Sequence, residues 1–121
     1  MKLSLDERLK LADSGECLDE LVHDEAWEVR CIVAKQRYGL NILVHDKDSM
    51  VRQAVASVGY GLDILIDDPD WQVRETVAEQ RYGLDRLLND PYWRVRYRVA
   101  RQEYGLDILK NDENDLVREL A

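Results

Sequence analysis

Asp67-Asp68-Pro69-Asp70-Trp71-Gln72-Val73-Arg74-Glu75-Thr76-Val77-Ala78 decides the fold, because its pattern returns at a constant interval along the chain. One period later stands Asn89-Asp90-Pro91-Tyr92-Trp93-Arg94-Val95-Arg96, with Tyr92 in place of the second aspartate. Working outward, Asp24, Asp46, Asp68, Asp90 and Asp112 form one column. Arg30, Arg52, Arg74, Arg96 and Arg118 form another, six residues further on in each case. Between them they fix a period of 22 residues across most of the 121. Self-similarity at such a period is the signature of a repeat architecture.

The period divides the chain. Tyr38-Gly39, Tyr60-Gly61, Tyr82-Gly83 and Tyr104-Gly105 are each followed by leucine, so that Leu40, Leu62, Leu84 and Leu106 open successive modules, and Leu18 opens an earlier one in register. The modules are 18–39, 40–61, 62–83, 84–105 and 106–121, and together with residues 1–17 they make one domain. Within 1–17, Arg8 and Ala12 keep the register while Glu7 replaces the valine. Ser4 and Glu7 have capping-box spacing and Gly15 serves as a stop, which predicts an N-terminal cap helix.

Each module reads as two helices. In the third, Asp68 is an expected N-cap, Pro69 suits the first helical position, and Asp70 complements the positive end of the dipole, so a helix is expected from about residue 69. Val73, Val77 and Ala78 give it one apolar stripe, and Gly83 is the expected left-handed C-cap. Leu62, Ile64, Leu65 and Ile66 predict a second element of one or two α or 3₁₀ turns, too short to be stable without packing. No such module buries enough apolar surface alone. The expected core is therefore shared by stacked modules: Val29, Val51, Val73, Val95 and Val117, then Val33, Val55, Val77 and Val99, with Ala34, Ala56, Ala78 and Ala100. The fold class this predicts is all-α, an α-α superhelix or solenoid of five short 22-residue repeats with an N-terminal capping helix.

The string 67–78 resembles the Asp-Pro-Asp-x-x-Val-Arg-x-x-Val-Ala core of the HEAT-like and leucine-rich repeat variant families, and the resemblance extends over residues 18–121. One proper helix and one stubby one is closer to the leucine-rich repeat variant. Two features depart from that variant: Tyr-Gly stands where an Asn-Pro-x-x-Pro turn is typical, and the N-terminus lacks the cysteine-rich segment that carries an iron–sulfur cluster in some members, offering only Cys17 and Cys31. No cofactor is carried over. The resemblance implies adaptor or scaffold work, with a minority of HEAT-like proteins acting on nucleic acid or tetrapyrrole-linked proteins; fold alone does not choose.

Composition narrows the choice. A net charge of -8 and pI near 4.7 argue against nucleic acid as a partner and favour a neutral or basic one. No apolar run is long enough to span a bilayer, which predicts a cytoplasmic protein with reduced thiols. No Ser/His/Asp grouping, Gly-rich phosphate loop, His-Glu-x-x-His or Cys-x-x-Cys occurs, so no enzyme and no catalytic residue are expected. His23 and His45 occupy one column but lack a third ligand, so no metal is expected either.

The invariant Asp24, Asp46, Asp68, Asp90, Asp112 and Arg30, Arg52, Arg74, Arg96, Arg118 are expected to build the frame, each Asp capping its helix and each Arg bridging to an Asp of its own or the next module. Tyr38, Tyr60, Tyr82 and Tyr104 are expected to close their turns. Function is sought where modules differ. Trp27, Trp71 and Trp93 share a column that Ser49 and Asp115 interrupt. On the long helices, Arg94, Tyr97, Arg98 and Arg101 occupy an expected solvent-facing stripe that Gln72, Glu75, Thr76 and Glu79 fill one module earlier. Residues 84–105 carry five basic and three acidic side chains, and 62–83 carry two and six, so the charge is striped. Arg and Tyr dominate interface hot spots, which makes Arg94, Tyr97, Arg98 and Arg101, edged by Tyr92, Trp93, Trp71 and Trp27, the candidate contact surface for a protein partner. The acidic row Asp19, Asn41, Asp63, Asp85 and Asp107 supports an alternative, an acidic nucleic-acid mimic that inhibits a DNA- or RNA-processing protein. Leu116 and Leu120 leave an apolar C-terminal end, which a homodimer or further modules of a longer array would cover.

Overall fold

The described residues, 2–121 of a computed structural model, contain eleven helices and no strand. After α1 (Leu5–Asp13), short and long helices alternate: α2 (Leu18–Leu21), α3 (Trp27–Lys35), α4 (Leu40–Leu43), α5 (Ser49–Ser57), α6 (Leu62–Leu65), α7 (Trp71–Glu79), α8 (Leu84–Leu87), α9 (Trp93–Arg101), α10 (Leu106–Leu109) and α11 (Asp115–Leu120). The short helices begin 22 residues apart, as do the long ones. Each short element is a single α turn rather than 3₁₀.

The chain divides into two compact units, Met1–Gly61 and Leu62–Ala121. In the first, α3 packs against α1 on one side and α5 on the other, with α2 and α4 against the same long helices. In the second, α9 packs between α7 and α11, with α8 and α10 alongside. Within each unit consecutive long helices lie against one another and the short helices pack alongside them, which is consistent with a helical repeat.

The apolar stripe explains the packing. Val29, Val33 and Ala34 of α3, and Val51, Val55 and Ala56 of α5, have no exposed surface, and Val73, Val77, Ala78, Val95, Val99 and Val117 repeat this in the second unit. The small alanine lets backbones approach. Each short helix buries its last leucine, Leu21, Leu43, Leu65, Leu87 or Leu109, in the core of its unit, and α8 buries Leu84 as well. Fully burying a Val or Leu side chain is worth about 1.5–3 kcal/mol, so the packing supplies what a four-residue helix lacks in intrinsic stability.

Helix ends differ from the sequence expectation in both directions. The cap of α7 is Asp70, whose carboxylate accepts the Gln72 N–H, and the helix starts at Trp71 rather than near residue 69. Asp68 instead accepts the N–H of Asp70, a tight turn that sets up the entry, and Pro69 lies in that turn outside the helix. Asp48 and Asn114 cap α5 and α11 as Asp70 does, whereas Ala26 and Tyr92 provide no side-chain cap. The cap position therefore varies while the turn aspartate does not.

At the other end α7 stops at Glu79 through a Schellman motif: the Arg81 N–H reaches Ala78 O, the Tyr82 N–H reaches Val77 O, and the left-handed residue is Arg81 at φ 58°. Gly83 is also left-handed, at φ 62°, but it opens α8 instead of closing α7. Each module boundary therefore needs two left-handed residues. One column holds Gly15, Arg37, Gly59, Arg81 and Glu103, and the other Cys17, Gly39, Gly61, Gly83 and Gly105. Glycine is demanded in the second column by contact as well as by φ. A Cβ on Gly39 would meet Val22 Cγ2 at 2.6 Å, and one on Gly61 would meet Val44 Cγ2 at 2.6 Å. The expected capping box is present: the Ser4 hydroxyl accepts the Glu7 N–H, and the Glu7 carboxylate accepts the Ser4 N–H, a bond that, with a side-chain hydrogen bond from Ser4, holds the carboxyl below its ordinary pKa.

Candidate functional site

Three of the recurring arginines, Arg30, Arg74 and Arg96, form rungs of the same geometry with the recurring aspartates. Arg30 Nε donates to Asp46 Oδ2 at 2.8 Å and its second nitrogen to Asp46 Oδ1 at 3.2 Å, a bidentate pair, while its third nitrogen donates to the backbone oxygen of Asp24 at 2.6 Å. Arg74 does the same with Asp90 and Asp68 O, and Arg96 with Asp112 and Asp90 O. Arg8 extends the series into the cap through Asp24 and Leu3 O. Arg52 and Arg118 donate to Asp46 O and Asp112 O. Arg30, Arg74 and Arg96 thus each tie the next module's aspartate side chain to their own module's backbone, and that aspartate also accepts a backbone N–H two residues on, such as Asn114 N–H at 2.9 Å. In these three rungs the charged donors and acceptors find their partners inside the frame.

The electrostatics agree. Burial by itself raises the Asp112 carboxyl, but the Arg96 hydrogen bond, the Asn114 N–H and the charges of Arg96 and Arg118 outweigh it and hold the group below the usual carboxylate range. The same hydrogen bond raises the Arg96 guanidinium further above its ordinary value. Burial, reinforced by the Asp48 charge, pushes the Cys31 thiol up to about 11, so it stays protonated at neutral pH and is a poor nucleophile. Among the described residues no three or more His, Cys, Asp or Glu side chains gather in a metal-binding arrangement, and no helix is long and apolar enough to cross a membrane.

The variable stripe divides into two kinds of residue. It is not uniformly solvent-facing as the spacing suggests: Thr76 is buried with its hydroxyl bonded to Gln72 O. Arg98 does not offer a free charge. It reaches Glu75 and Glu79, each at 3.4 Å, so the basic module and the acidic one neutralise each other there. Arg94 and Arg101 remain exposed, and neither has an ion pair among the described residues.

Around Arg94 the structure gathers aromatic rings from both helices. Trp71 and Tyr92 lie 4.8 Å apart between centroids, Tyr92 and Trp93 6.3 Å, and Trp93 and Tyr97 6.1 Å in an edge-on contact. The Arg94 guanidinium carbon sits 5.6 Å from the Trp71 ring and 5.0 Å from the Trp93 ring. Trp27 belongs to the first unit, is 40% exposed, and has no ring partner among the described residues. The expected contact set thus separates: Trp71, Tyr92, Trp93, Arg94 and Tyr97 form one cluster, Arg101 is exposed on α9, Arg98 is engaged in ion pairs, and Trp27 belongs to the other unit. Tyr38, Tyr60, Tyr82 and Tyr104 are about 40% exposed, so their rings cover the turns only in part. The sequence spacing gave no warning of Arg98's ion pairs, although the acidic residues 75 and 79 flanking its column were the available signal.

The chain matches no family model, no curated protein and no solved structure.

Proposed function

We propose that this protein is a noncatalytic protein-interaction scaffold, an α-solenoid of five 22-residue modules of the HEAT-like or leucine-rich repeat variant kind, capped by residues 1–17 and working in the cytoplasm. One observation carries the reading. Arg94 is stacked on Trp71 and Trp93 beside Tyr92 and Tyr97, in columns that other modules fill with residues as different as Glu28 and Met50. A frame that tolerates those residues does not require the cluster, whereas aromatic and arginine side chains held together at a surface are the usual anchors of an interface.

A second reading, an acidic mimic of nucleic acid, draws on the net charge of -8 and on the exposed Asp63, Asp85 and Asp107 of the short helices. One experiment separates the two. A photo-crosslinking side chain placed at position 97 and, separately, at position 85 is activated in the native cell. The scaffold reading expects one discrete protein adduct from position 97, lost when Trp71 and Trp93 are both changed to Ala while the helical circular dichroism is retained. Adducts confined to position 85, on a nucleic-acid-processing protein, would instead establish the mimic, and adducts from neither position would refute both.

A further inference from the structure

Resting on the scaffold reading, we propose that the Trp71–Arg94–Trp93 stack docks an acidic peptide segment of the partner, extended and carrying two carboxylates three residues apart. The argument begins with what Arg94 lacks. On one helix, Arg96 spends its donors on Asp112 and Asp90 O, and Arg98 is neutralised by Glu75 and Glu79. Arg94 has no hydrogen-bond acceptor and no carboxylate among the described residues, although it is held over two indole rings. Stacking restrains the planar group while leaving its N–H edge unclaimed, so less conformational freedom is lost when a carboxylate takes that edge in a bidentate fork.

Arg101 supplies the spacing. It is exposed and unpaired among the described residues, and it lies seven residues along the same helix, about 10 Å at the helical rise of ~1.5 Å per residue. A segment in the extended polyproline II conformation advances about 3.1 Å per residue and returns to the same face every three residues, so carboxylates at positions i and i+3 lie on one side and are spaced to reach both guanidinium groups. The rings of Trp71 and Tyr92 then receive an apolar side chain from between the two acids.

Other occupants fit less well. A basic segment would meet two uncompensated arginines. A nucleic acid or a phosphorylated segment brings denser negative charge to a chain that already carries -8, and an isolated pair of arginines offers too few phosphate contacts to offset it. The screening length of about 8 Å at physiological ionic strength lets the local positive charge act on one or two carboxylates despite the acidic whole.

The test is titration of the full chain, followed by tryptophan emission, with a twelve-residue peptide containing two glutamates three residues apart and a leucine between them. Parallel arms carry glutamine, lysine or phosphoserine in place of the glutamates, and one arm uses a short single-stranded DNA. The proposal expects saturable binding of the glutamate peptide. Binding should weaken about tenfold in Arg94→Gln, and similarly in Arg94→Lys, where charge is kept but the fork is lost, and it should be unchanged in Arg86→Gln. Equal binding of the glutamine peptide, tighter binding of the lysine, phosphoserine or DNA arm, or no binding of the glutamate peptide at millimolar concentration would each overturn it. If a partner is still crosslinked from position 97, such a result removes the acidic peptide and leaves the scaffold.

Discussion

Arg96 and Arg94 leave α9 two residues apart and belong to opposite worlds. Arg96 is 8% exposed, bidentate to Asp112 and bonded to the backbone of Asp90, so all its donors face inward along the turns that join the modules. Arg94 lies at the surface across two tryptophans, with its donors turned toward no group of the chain. The same residue type serves as frame in one place and as free surface in the other. What decides is whether the neighbouring module offers a carboxylate within reach, and Arg98, engaged by Glu75 and Glu79, shows the intermediate case.

The comparison breaks most visibly by truncating the two arginines in turn. Arg96→Ala leaves Asp112 buried without its counter-ion and is expected to cost about 3–5 kcal/mol, whereas Arg94→Ala loses only an exposed stacking interaction of about 0.5–1 kcal/mol. Urea unfolding measures both. Replacing the whole rung, Arg96→Met with Asp112→Leu, is expected to recover most of the loss, because the penalty is the stranded charge. The Asp112 carboxyl is lowered in the fold, so its contribution is fully present above the ordinary carboxylate value of about 4 and disappears as pH falls through the lower folded value. The Arg96–Asp112 coupling in a double-mutant cycle should therefore be flat from about pH 5 to 8 and shrink only in more acidic solution. Equal costs for the two arginines would erase the distinction between frame and surface.

A smaller effect sharpens what frame means. Gly39→Ala places a Cβ against Val22 Cγ2, at a φ of 63° that disfavours any side chain, and is expected to cost about 1–3 kcal/mol. Combining it with Val22→Ala should lose less than the sum of the two single changes, since one contact causes part of each. Cys17 occupies the same column at φ 57° with a side chain in place, which marks the packed neighbour, and not the backbone angle alone, as the reason for glycine in the later modules.

The smallest expected change is a gain. Arg37 is left-handed at φ 61°, in the column where Gly15 and Gly59 stand, so Arg37→Gly should stabilise the protein by about 1 kcal/mol, readable as a shift in the urea midpoint. No gain would mean that the turn draws compensating stability from the arginine side chain.

Much of the local architecture could be read from residues in a row. The Val-Ala stripe, the leucine of each short helix and the Ser4–Glu7 box were legible because each depends on helical spacing or on a hydrogen bond spanning three residues. The true helix starts were also within reach: Asp48, Asp70 and Asn114 share a column of good caps, but Pro69 beside Asp68 drew the boundary two residues early. The first left-handed column was hidden by Arg37, Arg81 and Glu103, with Gly15 and Gly59 as its only overt signal.

The sequence by itself determined the period, the alternation of short and long helices and the list of residues common to all modules, because these follow from local hydrogen bonding and apolar periodicity. Tertiary structure alone decided which aspartate each arginine holds, that Thr76 is buried, that Arg98 is neutralised, and that Trp71, Tyr92, Trp93 and Arg94 meet at one place. Those outcomes depend on how close one long helix lies to the next, and partners some 16 to 23 residues apart are chosen by that distance rather than by anything adjacent in the chain.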